Sequence, residues 1–497
     1  MQYPLIYEIN TRCWLNELSD RLGRRATLAD VPDSEFARWQ RLGFTHIWLM
    51  SVWTTGPRSR AVALATAQMP GLDEAGSKPI AAEIGGSPYA IAEYRVSPVL
   101  GGESGLAEFR RRLCERGMKL ILDFVPNHVG LDHNWVIEQP ELFVQSPVET
   151  PDTFAQETKT GKRWLAHGRD PNFPPWSDTV QLDFRQRATH AAMKDCLLAI
   201  ADRCDGVRCD MAMLLLSDVF ARTWSQFLFQ EPELASGGSR AEFWPEAIAA
   251  TRQAHPGFLF LAEAYWGLED RLQALGFDYT YDKAIYDELI RRNPAGVQQR
   301  LATATPQFIA GGAHFLENHD EARIASILSP AEHRAAAWLI LSLPGMRLLH
   351  DGQLEGARFR IGVEFLRRSV ETPAVEVECF YEQMLLALQR SAVGQGRATL
   401  LKPREAWAGN PTAQNIVLVQ WQAKPPEFDL AVVNLATHRS QCYASLCVEN
   451  LAGGDWRVND CLGTEAFRRS GGDLSDRGIY LDLPGHGVQL LHFKPEG

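Results

Sequence analysis

No apolar stretch in this chain of 497 residues is long enough to cross a bilayer; the longest, AAAWLILSLPGM over residues 335–346, carries a proline. The amino terminus, MQYPLIYEINTRCW, lacks the basic segment and extended apolar core of a secretory leader, so no membrane partner is expected. Nine cysteines are scattered without a CxxC pair or a Cys/His zinc spacing, so no cysteine-based metal framework is expected. Free thiols in a chain that shows no leader point to a reducing cytoplasm. Basic excess is missing too: 50 Lys and Arg against 61 Asp and Glu give a net charge of −11, which argues against nucleic acid as a partner. There is no Rossmann glycine fingerprint, P-loop, HExxH or GxSxG elbow, no internal repeat and no low-complexity segment. Dinucleotide, phosphate-loop, zinc-peptidase and serine-hydrolase chemistry therefore have no foothold.

What is present is ordinary globular composition, 45% hydrophobic and 22% charged, arranged with a strong rhythm. Apolar strand-like runs alternate with helix-length segments that end in glycine, as LAEFRRRLCERG does before MKLILDFV. Eight such runs follow in order: PLIYEI, THIWLMSVW, MKLILDFV, GVRCDM, FLFLAEA, FDYTYD, AHFLENH and MRLLHDG. Repeated βα units favour a parallel sheet, and eight of them favour a closed (β/α)8 barrel of about 250 residues or more. The rhythm breaks twice. Residues 129–182, rich in Pro, Asp, Trp and Asn, are too long for a plain loop and read as a small irregular inserted domain after the third strand. After residue 388 the runs NIVLVQWQ, DLAVVNLA, DWRVNDCLG, GIYLDLP and GVQLLHF predict a separate antiparallel β-sandwich. The expected division is thus barrel 1–128, insert 129–182, barrel 183–388 and sandwich 389–497. Trp407, Trp421 and Trp456 are expected as ordinary sandwich residues.

Four polar clusters close apolar runs: Asp123-Phe-Val-Pro-Asn127-His128, Gly206-Val-Arg208-Cys-Asp210, Glu263 after FLFLA, and Glu317-Asn-His319-Asp320. Carboxylates at the C-terminal ends of successive parallel strands converge on one mouth of a barrel, which selects Asp210, Glu263 and Asp320 as candidates for chemistry. Arg208 and Asp210 lie two apart on a strand, so their side chains share a face and the guanidinium can hold the carboxylate ionised. Cys209 should point away. Glu263 is flanked by Leu261, Ala262, Ala264, Tyr265 and Trp266; dry surroundings would raise its pKa, as an acid catalyst needs. Tyr265 and Trp266 are expected to divide between pocket wall and core.

DFVPNH, GVRCD, AEA and FLENHD, in this order, resemble the four sequence regions of the α-amylase superfamily, family 13 of the glycoside hydrolases. GSPYAIAEYRV (86–96) is similar to that family's segment after the second strand. The resemblance implies a retaining α-glycoside hydrolase with Asp210 as nucleophile, Glu263 as general acid/base and Asp320 as transition-state stabiliser. It further implies that His128 and His319 bind sugar hydroxyls, that Tyr89 is an aromatic platform, and that Asp123 braces Arg208. Such chemistry needs one carboxylate to attack the anomeric carbon and a second, initially protonated, to donate to the leaving oxygen.

Two departures bear on specificity. Typical endo-acting members carry a Lys-His pair shortly after the nucleophile, where this chain has the apolar run Met213-Leu214-Leu215. That leaves the acceptor side open and weakens the family's calcium site, for which Asn127 and Asp183 remain the candidate oxygen ligands; no cofactor is required. The 53-residue gap from Asp210 to Glu263, with its polar loop QEPELASGGSRAEFWPE, resembles α-glucosidases and transglucosidases more than α-amylases. The expected substrate is a small α-glucoside or oligosaccharide. The alternatives are transfer of the same intermediate to a sugar or phosphate, by a transglucosidase or glycoside phosphorylase, and a catalytically silent carbohydrate-binding barrel.

Overall fold

The computed structural model describes residues 2–66, 81–227 and 242–496. Most of the polar loop between Asp210 and Glu263, residues 230–241, lies outside the described residues. The eight apolar runs form the eight strands of a closed, all-parallel barrel: β1 (Leu5–Asn10), β2 (His46–Met50), β3 (Lys119–Phe124), β4 (Gly206–Cys209), β5 (Leu259–Ala262), β6 (Tyr279–Tyr281), β7 (Gly312–His314) and β8 (Met346–His350). β1 closes the ring against β8, with Glu8 opposite His350. No described helix is long and apolar enough to cross a membrane.

Strand parity sorts the side chains into two cores. Ile6, Trp48, Ile121, Leu261, Tyr281 and Leu348 point inward and fill the barrel. Their alternating neighbours, including Tyr7, Leu49, Leu122, Val207, Cys209 and Ala262, pack outward under the helices. Burial on both faces explains why these strands read as continuous apolar runs. Gly206 starts β4 at a crowded point: a Cβ there would lie 2.7 Å from Ile121 Cδ1 and from the Leu259 carbonyl. The same parity carries Glu8, Asp123, Arg208 and Glu263 inward as the next layer, at the mouth.

The insert after β3 is more regular than its composition suggests. The strand His128–Gly130, which straddles the expected boundary at 128/129, pairs with Thr179–Gln181. A hairpin of Thr153–Thr158 and Gly161–Ala166 adds Gln145–Ser146 at its edge. The excursion from β2 to β3 is also long. It includes the helix Pro57–Thr66, and the apolar pattern does not flag it.

The C-terminal region is a six-stranded sheet facing a three-stranded one. In the strand Ile416–Gln422, Ile416 and Leu418 face the small sheet. Val417, Val419 and Trp421 face the barrel. The Trp421 indole donates to the Ser342 carbonyl at 2.8 Å, fixing the sandwich to the helix Pro330–Ser342. Trp456 is buried like Trp421, but Trp407, expected as a sandwich residue, stands 56% exposed.

Candidate active site

Arg208 organises the mouth of the barrel. It is fully buried, and its inward direction follows from its parity on β4, where it stands in register with Asp123 on β3 and Leu261 on β5. Nη1 donates to Asp210 Oδ1 at 2.7 Å, Nη2 lies 2.9 Å from Glu263 Oε2, and Asp123 Oδ1 lies 3.9 Å from Nη1. Nε donates to the Tyr281 hydroxyl at 3.3 Å. Trp48, Tyr89 and Tyr281 present their rings to the guanidinium at 5.4–5.8 Å, where cation–π attraction offsets part of the lost hydration. One buried cation thus serves three carboxylates. Cys209 points into the outer core, as parity requires.

Glu263 follows β5 directly, and its two oxygens differ. Oε2 accepts the Met211 N–H at 2.6 Å, while Oε1 accepts from the Tyr265 hydroxyl at 3.0 Å. Met211 reaches Glu263 because its backbone is left-handed, with φ 42°, directly after Asp210. Burial pushes the Glu263 carboxyl up to about 7, Asp210 and Asp320 add to the rise, and Arg208 opposes it. Burial likewise raises Asp123 to about 7 against the pull of Arg208.

His319 lies between two carboxylates, Glu8 at Nδ1 (2.5 Å) and Asp320 at Nε2 (3.0 Å). Burial disfavours its charged form, but Asp320 and Glu8 outweigh burial and lift the imidazole well above its ordinary value. For Asp320 partial desolvation works upward, yet His319 prevails and brings its carboxyl down to about 2. The Tyr89 hydroxyl meets His319 Nε2 at 2.7 Å, and the two rings stack with centroids 5.5 Å apart. His128 packs on Trp176 at 5.0 Å, and burial holds its pKa below the ordinary value.

These groups open on a cavity of about 1040 Å³ whose wall includes Tyr89, His128, Asp210, Glu263 and Asp320, with both Tyr265 and Trp266. Both aromatics after Glu263 therefore face the pocket; Tyr265 also packs against the barrel cores, while Trp266 is exposed. A wider cleft of about 1440 Å³ lies at the opposite end of the barrel, beside Tyr3 and Pro344, and contains none of the candidate residues. Glu8, Tyr281 and Trp176 complete the site without having been singled out in the sequence. Glu8 alone left a readable signal, a carboxylate inside the apolar run PLIYEI with the inward parity of Ile6.

Asn127 and Asp183 stand outside this cavity. Both Asp183 oxygens are taken by Arg185, at 2.7 Å from Nε and 2.7 Å from Nη2, in a pair whose side chains are each 6% exposed. Asn127 Oδ1 accepts from Gln181 Nε2 at 3.0 Å. A divalent ion needs those lone pairs free, and a guanidinium already supplies the positive charge, so this donor set does not fit calcium. The run after Asp210 forms the single turn Ala212–Leu215, all of it buried.

A parallel barrel with an insert after its third strand, a C-terminal sandwich and three carboxylates around one mouth defines a class of carbohydrate-active barrels. Residues 39–359 match the family described as alpha amylase, catalytic domain, and the chain belongs to that family. It is 26% identical over 281 residues to alpha-amylase MalA of Haloarcula japonica, a match covering 55% of this chain and 37% of that protein. It is 24% identical over 302 residues to the trehalose-6-phosphate hydrolase of Escherichia coli, covering 52% of this chain and 53% of that protein. The chain thus spans about half or less of the length of these two curated relatives. Among solved structures, an alpha-amylase from Lactobacillus plantarum superposes with a TM-score of 0.66 at 22% identity, covering 99% of both chains.

Proposed function

We propose that this protein is a retaining α-glycoside hydrolase acting on α-glucosidic bonds of small oligosaccharides or glucosides. The observation that carries the reading is the pairing of two unlike carboxylates on one guanidinium. Asp210 is ion-paired to Arg208 at 2.7 Å, while burial leaves Glu263 near 7 and able to carry a proton at neutral pH. Asp210 attacks the anomeric carbon as Glu263 protonates the departing oxygen. Glu263 then takes a proton from the water that releases the sugar from Asp210. Asp320, on the imidazolium of His319, stabilises the positive charge that develops on the ring.

The preference for small, uncharged substrates rests on the wall of the cavity. Among the described residues Lys283 is the one Lys or Arg side chain lining it, and Lys283 is committed to Asp287 at 2.6 Å and Glu321 at 3.2 Å. A wall of carboxylates repels a phosphorylated sugar, so the similarity to a trehalose-6-phosphate hydrolase does not extend to its phosphate. Met213, Leu214 and Leu215 are buried and offer the acceptor sugar no hydrogen bonds, which supports an α-glucosidase-like or transferring enzyme over an endo-acting one. The nine free thiols support a reducing compartment, the cytoplasm. Product analysis on maltose, maltotriose, isomaltose, sucrose, trehalose and glucosylglycerol tests the reading, with free glucose as the expected product. Trisaccharide from maltose, or glucose 1-phosphate when phosphate is added, assigns transfer instead. No turnover of any of them overturns the proposal.

A further inference from the structure

The unlike surroundings of the two Glu263 oxygens decide which of them carries the catalytic proton. Oε2 accepts the Met211 N–H at 2.6 Å and lies in an ion pair 2.9 Å from Arg208 Nη2, neither of which can accept a hydrogen. A hydroxyl hydrogen on Oε2 would point at groups that have no lone pair to receive it. Oε1 has one hydrogen-bond partner among the described residues, the Tyr265 hydroxyl at 3.0 Å. A phenolic hydroxyl can donate or accept, so it fits Oε1 in either protonation state.

We propose that Tyr265 is the positioning residue of the general acid: it directs the proton to Oε1 and stabilises the carboxylate left when that proton departs. The inference rests on the glycosidase reading above. In the resting site the Tyr265 oxygen accepts the Glu263 Oε1–H; in the cavity whose wall both residues line, the substrate's departing oxygen then replaces Tyr265 as the acceptor of that hydrogen. As the substrate's C1–O bond breaks, its electron pair goes to the departing oxygen, and that oxygen takes the proton from Oε1. Asp210 forms the new bond to C1. The Tyr265 hydroxyl then rotates and donates to Oε1, now anionic. Burial holds the Tyr265 phenol well above its ordinary pKa, and the nearby Glu263 raises it further, so it keeps its hydrogen throughout the working range.

Leaving-group dependence separates this role from a packing role. A sugar leaving group needs the acid; fluoride hardly does. In Tyr265→Phe the ring stays and only the hydroxyl is lost. kcat/KM, which reports the glycosylation step, should fall about 10–100-fold on maltose and less than about threefold on α-glucosyl fluoride. Equal fractional losses on the two substrates, or an undiminished kcat/KM on maltose, overturn the inference while leaving the glycosidase reading intact. A parent enzyme inactive on both substrates overturns that reading and this inference with it. A thermal melt of the variant verifies that the fold is retained.

Discussion

Replacing Arg208 by methionine keeps most of the side chain's volume and deletes its charge, which isolates the electrostatic role of this residue. In the parent the guanidinium sits 2.7 Å from Asp210, 2.9 Å from Glu263 and 3.9 Å from Asp123, with no solvent exposure. Removing one partner from a buried ion pair costs about 3–5 kcal/mol, because the remaining charge is left without a counter-ion. Here three carboxylates lose the same one. Glu263 and Asp123 already stand near 7 in the folded protein although Arg208 pulls both down, so without it both rise further. A carboxyl raised by folding contributes its full stability below its unfolded value, and that stability is lost as pH climbs through the folded value. The deficit of the variant should therefore be largest at about pH 8 and smaller at about pH 5, where Glu263 and Asp123 are protonated in both proteins. Thermal unfolding of parent and variant at the two pH values is the assay. Unfolding 497 residues carries an entropy of about 1 kcal/mol/K, so the expected loss in Tm is about 3–5 °C at the higher pH. Indistinguishable melting temperatures, or a deficit that grows toward acid, would refute Arg208 as the shared counter-charge.

The alkaline limb of the pH profile and the metal question give two further tests. With Glu263 near 7, kcat/KM should decline about tenfold between about pH 6 and pH 8 as its proton is lost, and Glu263→Gln should abolish that limb along with most turnover of maltose. A flat profile across this range would remove Glu263 from the acid role. Because Arg185 occupies both oxygens of Asp183, chelation by EDTA should leave activity and Tm of the parent unchanged. Arg185→Ala should instead lower Tm by unpairing a buried carboxylate, and a melting temperature of the parent that falls on chelation would contradict this account.

The barrel was legible because burial on both faces of a parallel strand leaves an unbroken apolar run, and all eight runs became strands. Asp123, Arg208, Asp210 and Glu263 were legible because each sits at or just past a strand end, where parity alone sets its direction. The insert was harder to read. Its hairpin strand Thr153–Thr158 has no fully buried residue, so it lacks the alternating apolar face by which a strand is read from sequence. Asn127 and Asp183 show a different limit: oxygen ligands can be named from sequence, but Arg185 is seen to fill the place of a cation only once its side chain is located. Glu8 and Trp176 reach the site from segments far away in sequence, and no local pattern joins either to His319 or His128. Both Tyr265 and Trp266 face the cavity because the chain turns through a left-handed residue, Trp266 at φ 65°, which breaks the alternation that would send one of them inward to the core.

The central claim is that a covalent bond forms to Asp210. It is tested most directly by trapping the intermediate with 5-fluoro-α-glucosyl fluoride, digesting the protein and locating the added sugar by mass spectrometry. A stoichiometric label is expected on the peptide carrying Asp210, and no label in Asp210→Asn. A label on Glu263 or Asp320, or full turnover of maltose by Asp210→Asn, would contradict it.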